Sequence, residues 1–241
     1  MPASTPDPTE FAPLFRSCEA IQGRDNELMQ RVFELRYQIY CLECGFLPAA
    51  DYLDRCEIDE YDAISAHFCT FNLRDELVGY VRLVPPDLTQ SFPFQSHCHD
   101  LLEGSSLAPP EQAAEISRLM VSHAYRRRRG DVVAGVTVEE DPAKVNHDLR
   151  DHTPQILLSL YRQMYAFSLA NNTRYWYAAM ERPLARALGQ MGFAFAQIGP
   201  MTDYYGPVAP YLGDLRQLEA RVDQKNPALM DWLRRREPSG H

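Results

Sequence analysis

Nothing in the 241 residues is apolar for the length that a membrane span requires; the best candidate, residues 156–170, is short and carries Arg162. Residues 1–14 are rich in Pro, Ser, Thr and Asp and hold no apolar core of a secretory signal. An excess of basic residues is also missing. With Lys and Arg numbering 24 against 33 Asp and Glu, the formal net charge is −9, which argues against nonspecific nucleic-acid binding. The six cysteines offer a single Cys-x-x-Cys, Cys41 and Cys44, with no second pair at zinc-finger spacing. His97-Cys98-His99 is too tightly spaced for all three to ligate one ion, so no metal is expected. These absences lead to the expectation of a cytoplasmic protein with free thiols.

The chain is long enough for one sizeable core, and its 45% hydrophobic content is ordinary for a globular domain. A flexible leader (1–14), one domain (15–236) and a polar tail (237–241) are expected. From Asn26 a helix should run to about Leu42, with Leu28, Val32, Leu35, Ile39 and Leu42 on its apolar stripe, and Gly45 ending it. Arg36 lies inside that helix, where an exposed flank position and a ligand contact weigh about equally. Residues 47–64, with Asp51, Asp54, Glu57, Asp59, Glu60 and Asp62, have poor periodicity and read as a largely solvated loop, a few of whose acids could receive an amine. Strands at 65–71 and 77–84 form a hairpin, in which Arg82 interrupts an apolar run; a charge there is costly unless paired or facing a wet cleft. An ordered insertion (85–112), a strand near 114–121, a helix from Thr153-Pro154 to Asn171, a strand at 173–180, a helix at 183–191 stopped by Gly192, a further strand at 193–198, a turn and final strand over 204–212 and a C-terminal helix complete the order. That is an α/β layout with a mixed central sheet flanked by helices.

The stretch 113–131 gathers the chemistry. Alternation puts Ile116 and Arg118 on one strand face and Glu115, Ser117 and Leu119 on the other, and four arginines, Arg126, Arg127, Arg128 and Arg129, follow before Gly130. An acid and an arginine running into a cationic loop supply a proton acceptor, a carboxylate clamp and an anion site, which suggests group transfer to a small charged acceptor. For the arginine run alone, a solvated turn is the plainer reading.

The motifs Leu35-Arg36-Tyr37-Gln38-Ile39-Tyr40, Glu57-Ile58-Asp59-Glu60-Tyr61-Asp62, Gly79-Tyr80-Val81-Arg82-Leu83 and Glu115-Ile116-Ser117-Arg118 resemble the acyl-homoserine-lactone synthase branch of the GNAT acyltransferase superfamily. Within that branch the chain is similar to the long-chain N-acyl amino acid synthases and to the bacterial acyltransferases of the PEP-CTERM/exosortase system; residues 36–48 match the latter particularly well. The resemblance implies a GNAT fold whose splayed central strands hold the pantetheine arm of an acyl donor, an amide product and no tightly bound cofactor. Carried over by position, Arg36, Asp59, Asp62, Arg82, Glu115 and Arg118 match polar residues lining the active site, with Ser117 between the last two.

Coenzyme A users of that superfamily place Gln/Arg-x-x-Gly-x-Gly/Ala where small residues let backbone N–H groups cup a pyrophosphate. Here Arg127 to Val132 keeps the arginine and glycine but ends in Asp131-Val132. Acyl carrier protein, acidic and bearing one phosphodiester, therefore becomes the expected donor partner, docked by residues 126–129, with a small amino-acid-like acceptor. Glu115 is expected to take the amine proton, Ser117 to Leu119 to offer backbone N–H groups to the oxyanion, Arg82 or Arg118 to grip an acceptor carboxylate, and Asp59 and Asp62 to hold its ammonium or fix Arg36. Tyr175, Trp176 and Tyr177, with Met164, Phe167 and Phe193, are read as plain core or as an acyl tunnel. An acyl-CoA or acetyl-CoA enzyme and a noncatalytic acyl-binding module are the alternatives.

Overall fold

A computed structural model describes residues 15–18, 20–125 and 153–235. The leader, the run Arg126, Arg127, Arg128, Arg129 and Gly130, and the tail lie outside those residues.

Strands β1 (Phe15–Ser17) and β2 (Ile21–Gln22) precede helix α1 (Glu27–Tyr37). Asn26 caps α1 by accepting the Leu28 N–H at 2.9 Å. The helix continues as a π-helical segment, Gln38–Glu43. That wider winding advances the helical phase, so Leu42 is exposed. Of the expected stripe Val32 and Ile39 are buried, and Met29, Phe33 and Arg36 take the buried places expected of Leu28 and Leu35. Strands β3 (Ala66–Asn72) and β4 (Leu77–Val84) form the expected hairpin, and β5 (Ala113–Val121) lies antiparallel to β4.

Helix α2 (Thr153–Ala170) then crosses to β6 (Tyr175–Met180), which runs parallel to β5. It packs so closely on β4 that a Cβ at Gly79 would sit 2.4 Å from Ile156 Cγ2. Helix α3 (Arg182–Met191) ends at Gly192 in the left-handed region, φ +98, where the Phe193 N–H donates to the Leu188 carbonyl. Strands β7 (Ala196–Gln197), β8 (Thr202–Asp203) and β9 (Pro207–Asp214) follow, then α4 (Leu215–Lys225) and α5 (Pro227–Arg234) where one C-terminal helix was expected. Asn226 caps α5 and Pro227 begins it, which breaks the pair.

The sheet order is β1-β3-β4-β5-β6-β9-β7, with β2 on β3 and β8 on β9. One face buries Phe68, Val81, Leu83 and Ile116 against α2 and its neighbours; the other buries Cys69, Phe71, Tyr80 and Met120 against α1. Trp176, Met164 and Phe193 belong to the first core and Tyr177 to a smaller one, where its hydroxyl accepts the Ala108 N–H at 2.6 Å. The tunnel reading of this aromatic group gives way to core packing.

The pairing of β5 with β6 ends at Glu115 opposite Tyr177. Beyond that point the strands diverge, and a cleft opens through the sheet.

Candidate active site

Three arginines and three acids meet on the α1 face. Arg36 is fully buried, with Nε donating to Glu57 at 2.5 Å and Nη1 to Asp62 at 2.6 Å. Arg82 uses all five N–H groups: Nη1 donates to Asp59 and Asp62 (both 2.6 Å), Nη2 to Asp59 and Ser117 (2.9 and 3.0 Å), and Nε to Ser117 (3.3 Å). Arg118 donates to Glu57 at 3.2 and 3.1 Å and to Asp59 at 3.1 Å. The acids are positioned locally. Asp59 and Asp62 form a reciprocal cap on the short turn Glu60–Ala63, and the Glu57 N–H donates to the Phe33 carbonyl at 3.1 Å. His67 sits beneath, with Nε2 donating to the Asp62 carbonyl at 3.1 Å and Nδ1 accepting from the Tyr80 hydroxyl at 2.7 Å; burial holds its pKa at about 4, so the ring is neutral.

This geometry corrects three expectations. The acids at 57 and 62 are not solvated; they are buried to 1% and 0% exposure. Arg36 is no exposed flank residue but the centre of the network. Arg82 has no N–H left with which to grip an acceptor carboxylate, and its guanidinium works as a clamp on Asp59 and Asp62.

A fourth correction concerns β5. Arg82 pairs with Ser117 but Tyr80 pairs with Met120, so the strand holds one extra residue, and Arg118 takes it up with φ +55. Such a bulge shifts the alternation by one position. Arg118 therefore joins Glu115 and Ser117 on the network face, whereas Leu119 turns to the α2 core. Strict alternation had placed these two the other way round.

Glu115 stands apart from the network. Its side chain touches no guanidinium: Oε2 accepts the Phe94 N–H at 2.7 Å. Burial pushes its pKa up to about 8, against the Phe94 hydrogen bond and the more distant charges of Arg82 and Arg118, which pull it down. For Asp59, burial acts upward too, but the hydrogen bonds and charge of Arg82, with Arg118 and Arg36 behind, hold the carboxylate at about 2.

The cleft between β5 and β6 has a volume of about 240 Å³, and Glu115, Ser117 and Arg118 line it. Its mouth on the network side is aromatic. Tyr40 lies under the Arg118 guanidinium, 5.2 Å from ring centroid to Cζ, Phe46 and Tyr205 face each other at 6.2 Å, and His97 stacks on Tyr204 at 3.9 Å. On the far side it reaches Tyr161 and Leu184. Of the residues expected at the site, Arg36, Asp59, Asp62, Arg82, Ser117 and Arg118 are brought into one network with Glu115 beside it. Tyr204 and Tyr161 were not anticipated, since the first reads as part of a turn and the second as one of many aromatics on a core helix. Among the described residues no group of three or more His, Cys, Asp or Glu side chains is arranged to hold a metal ion, and no helix is long and apolar enough to cross a membrane.

Residues 35–135 match the family model of the acetyltransferase (GNAT) domain. No curated protein sequence matches the chain. Among solved structures, BjaI, a CoA-dependent acyl-homoserine lactone synthase solved with SAM and isopentyl-CoA, superposes with a TM-score of 0.58 at 19% identity over 88% of each chain. The acyl-homoserine lactone synthase LasI gives 0.59 at 15% identity over 89% of this chain and 94% of its own. TofI, in a ternary complex with an inhibitor and MTA, gives 0.58 at 18% identity over 90% and 96%. A mixed sheet split after Glu115, a family match across β3 to β5 and these superpositions together establish that the chain has the GNAT acyltransferase fold, in the form similar to that of acyl-homoserine lactone synthases.

Proposed function

We propose that the protein is an N-acyltransferase that moves an acyl group, a long one, from the thioester of an acyl carrier protein to the amino group of an amino acid or a similar small amine. The observation that carries this reading is Glu115, a carboxyl with a pKa of about 8 on the lip of the strand split. An ammonium cannot attack a thioester, and an ordinary carboxylate is too weak a base to deprotonate it. A pKa near 8 matches an α-amine, whose own is about 8, so the proton moves to Glu115 at little cost. The freed amine attacks the thioester carbon, and the oxyanion is met by the edge of β5 from 116 to 119, which has no β6 partner. Collapse breaks the carbon–sulfur bond, the nitrogen sheds its surplus proton to the departing thiolate, and the amide and a free thiol remain.

The network sets the acceptor's orientation. Arg118 spends Nε and Nη2 on Glu57 and Asp59, and Nη1, the nitrogen those acids do not use, serves the acceptor's carboxylate. Asp59, the most exposed of the three acids at 16%, serves its ammonium. Arg36, Asp62 and Arg82 hold these two in place. Ser117, whose hydroxyl accepts from Arg82, orients the clamp beside the cleft.

The carrier is assigned to the arginine run, Arg126 to Arg129, with Gly130. A CoA thioester is the second reading, favoured by the description of BjaI as CoA-dependent. Incubation of the purified protein with acyl carrier protein and CoA thioesters of graded chain length and a panel of amino acids, read by mass spectrometry for the amide, tests the proposal. Amide formation faster from the carrier-protein thioester, and suppressed by salt, supports it. Absence of amide from every donor and acceptor pair sinks it.

A further inference from the structure

Tyr161 stands on α2, on the opposite side of the sheet from the ion-pair network, and lines the cleft with Ile116, Leu119, Met180 and Leu184. The residue is 2% exposed, and its ring is held against Phe193 and Trp176 at centroid distances of 4.9 and 6.0 Å. Its hydroxyl has no hydrogen-bond partner among the described residues. Of the five other buried tyrosines among the described residues, four are paired, Tyr80 with His67, Tyr177 with the Ala108 N–H, Tyr165 with Glu219 and Tyr125 with Asn72, and Tyr211, which does not line the cleft, is not. A buried hydroxyl without a partner is a standing cost that phenylalanine would avoid while filling the same ring space.

Nor is the hydroxyl sealed away. Among the described residues, the side-chain atoms cut off from solvent without a partner are Arg36 Nη2 and Gln163 Oε1. The Tyr161 hydroxyl is not among them, and the residue lines the cleft. Burial raises its pKa, so it remains a neutral phenol and a hydrogen-bond donor. Its neighbours there are aliphatic, so a ligand that supplied only hydrocarbon at this point would leave the donor unsatisfied.

We infer that Tyr161 is a specificity residue for the acyl donor: its hydroxyl donates a hydrogen bond to a neutral carbonyl oxygen of the thioester substrate, on the side of the cleft away from Glu115. The inference rests on the acyl-transfer reading above and adds to it a group on the donor that the protein recognises. Two parts of such a donor carry a carbonyl of this kind, an amide of the pantetheine arm and an oxo group on the acyl chain.

The test compares the wild-type full chain with Tyr161→Phe on three donors of one chain length: straight-chain acyl carrier protein, its 3-oxoacyl counterpart, and the straight-chain thioester of N-acetylcysteamine, which lacks the outer amide of the arm. The donor KM of Tyr161→Phe is expected to rise about tenfold, with kcat within about twofold, the amine KM unchanged and the melting temperature equal or higher. A penalty equal for both carrier-protein donors, and smaller for the truncated one, assigns the bond to the arm. A penalty confined to the 3-oxoacyl donor assigns it to the chain. Unchanged KM for all three donors with an active wild type overturns the inference and leaves the acyl-transfer reading standing, as does a melting temperature that falls. A wild type that forms no amide takes both down.

Discussion

Asp59 and Glu115 are carboxyl groups buried near the same arginines, yet one is held at about 2 and the other at about 8. Proximity to positive charge does not separate them, because Arg82 and Arg118 act downward on both. What differs is contact. Asp59 receives hydrogen bonds from two guanidinium groups, whereas Glu115 receives one from a backbone N–H and is otherwise desolvated. Direct charge-assisted hydrogen bonds outweigh burial at the first site, and burial wins at the second. The network is thus a neutral frame of three cations and three anions, and the proton acceptor is the acid left out of it.

The comparison breaks most severely if the frame is opened. Arg82→Ala leaves Asp59 and Asp62 without their main partner inside the protein, and loss of one member of a buried ion pair costs about 3–5 kcal/mol. Against a typical domain stability of about 5–15 kcal/mol, urea denaturation should show a large fall in midpoint or no folded protein at all. A shift worth under about 1 kcal/mol would mean that these pairs behave as surface bridges and frame nothing.

Glu115→Gln attacks the other side of the comparison. The variant keeps an acceptor oxygen for the Phe94 N–H but cannot take a proton, so kcat/KM near pH 7 should drop about 10²–10⁴-fold. Partial recovery is expected at higher pH, where free amine is abundant. The wild-type rate should rise with pH and level off above about 8, and the variant should keep only the part of that rise that the acceptor's own amine imposes. An unchanged pH–rate profile would remove Glu115 as the base.

Stability against pH sharpens the contrast, because the two acids move opposite limbs. The folded pKa of Asp59 lies below its ordinary 3.8, so its contribution is present above that value and is lost as pH falls toward 2. A shift of this size is worth about 2 kcal/mol. Glu115 has a folded pKa above its ordinary 4.5; its contribution is present below 4.5 and is lost as pH rises through about 8. Denaturation midpoints should show Asp59→Asn with a flatter acid limb and Glu115→Gln more stable than the wild type at pH 9. If both variants flatten the same limb, the two environments are not distinct.

Much of this arrangement was legible in the sequence, and the failures have physical reasons. Alternation and turn residues located the β3–β4 hairpin, Gly192 stopped α3, and the cost of a mid-strand charge marked Arg82. The orientation of Arg118 was hidden, because a bulge at a non-glycine residue breaks the period-two pattern and leaves no local signature. Leu42 was misplaced by a π-helical segment for the same kind of reason. Arg36, Glu57 and Asp62 read as solvent-facing charges because each is affordable inside only through the others, and segments 21 to 26 residues apart in the chain carry no trace of that pairing. The cleft itself follows from where the β5–β6 ladder stops, a tertiary fact.

Ser117 is where frame and cleft meet, and it yields the smallest predicted effect. Its hydroxyl lies on the cleft wall yet accepts from both Nε and Nη2 of Arg82. Ser117→Ala removes that acceptor, and a hydrogen bond to a charged group is worth about 1.5–3 kcal/mol. The loss should fall at the low end of that range, because Arg82 keeps its bonds to Asp59 and Asp62 and the cleft can admit water beside Nε. If the serine acts only through the clamp, the denaturation midpoint shifts while kcat/KM stays within about threefold, an energy of about 0.6 kcal/mol, and the inflection near pH 8 persists. If instead its hydroxyl hydrogen meets the reacting thioester, kcat falls a hundredfold with little change in stability. The ratio of the two losses therefore decides on which side of the boundary between frame and catalysis this residue belongs.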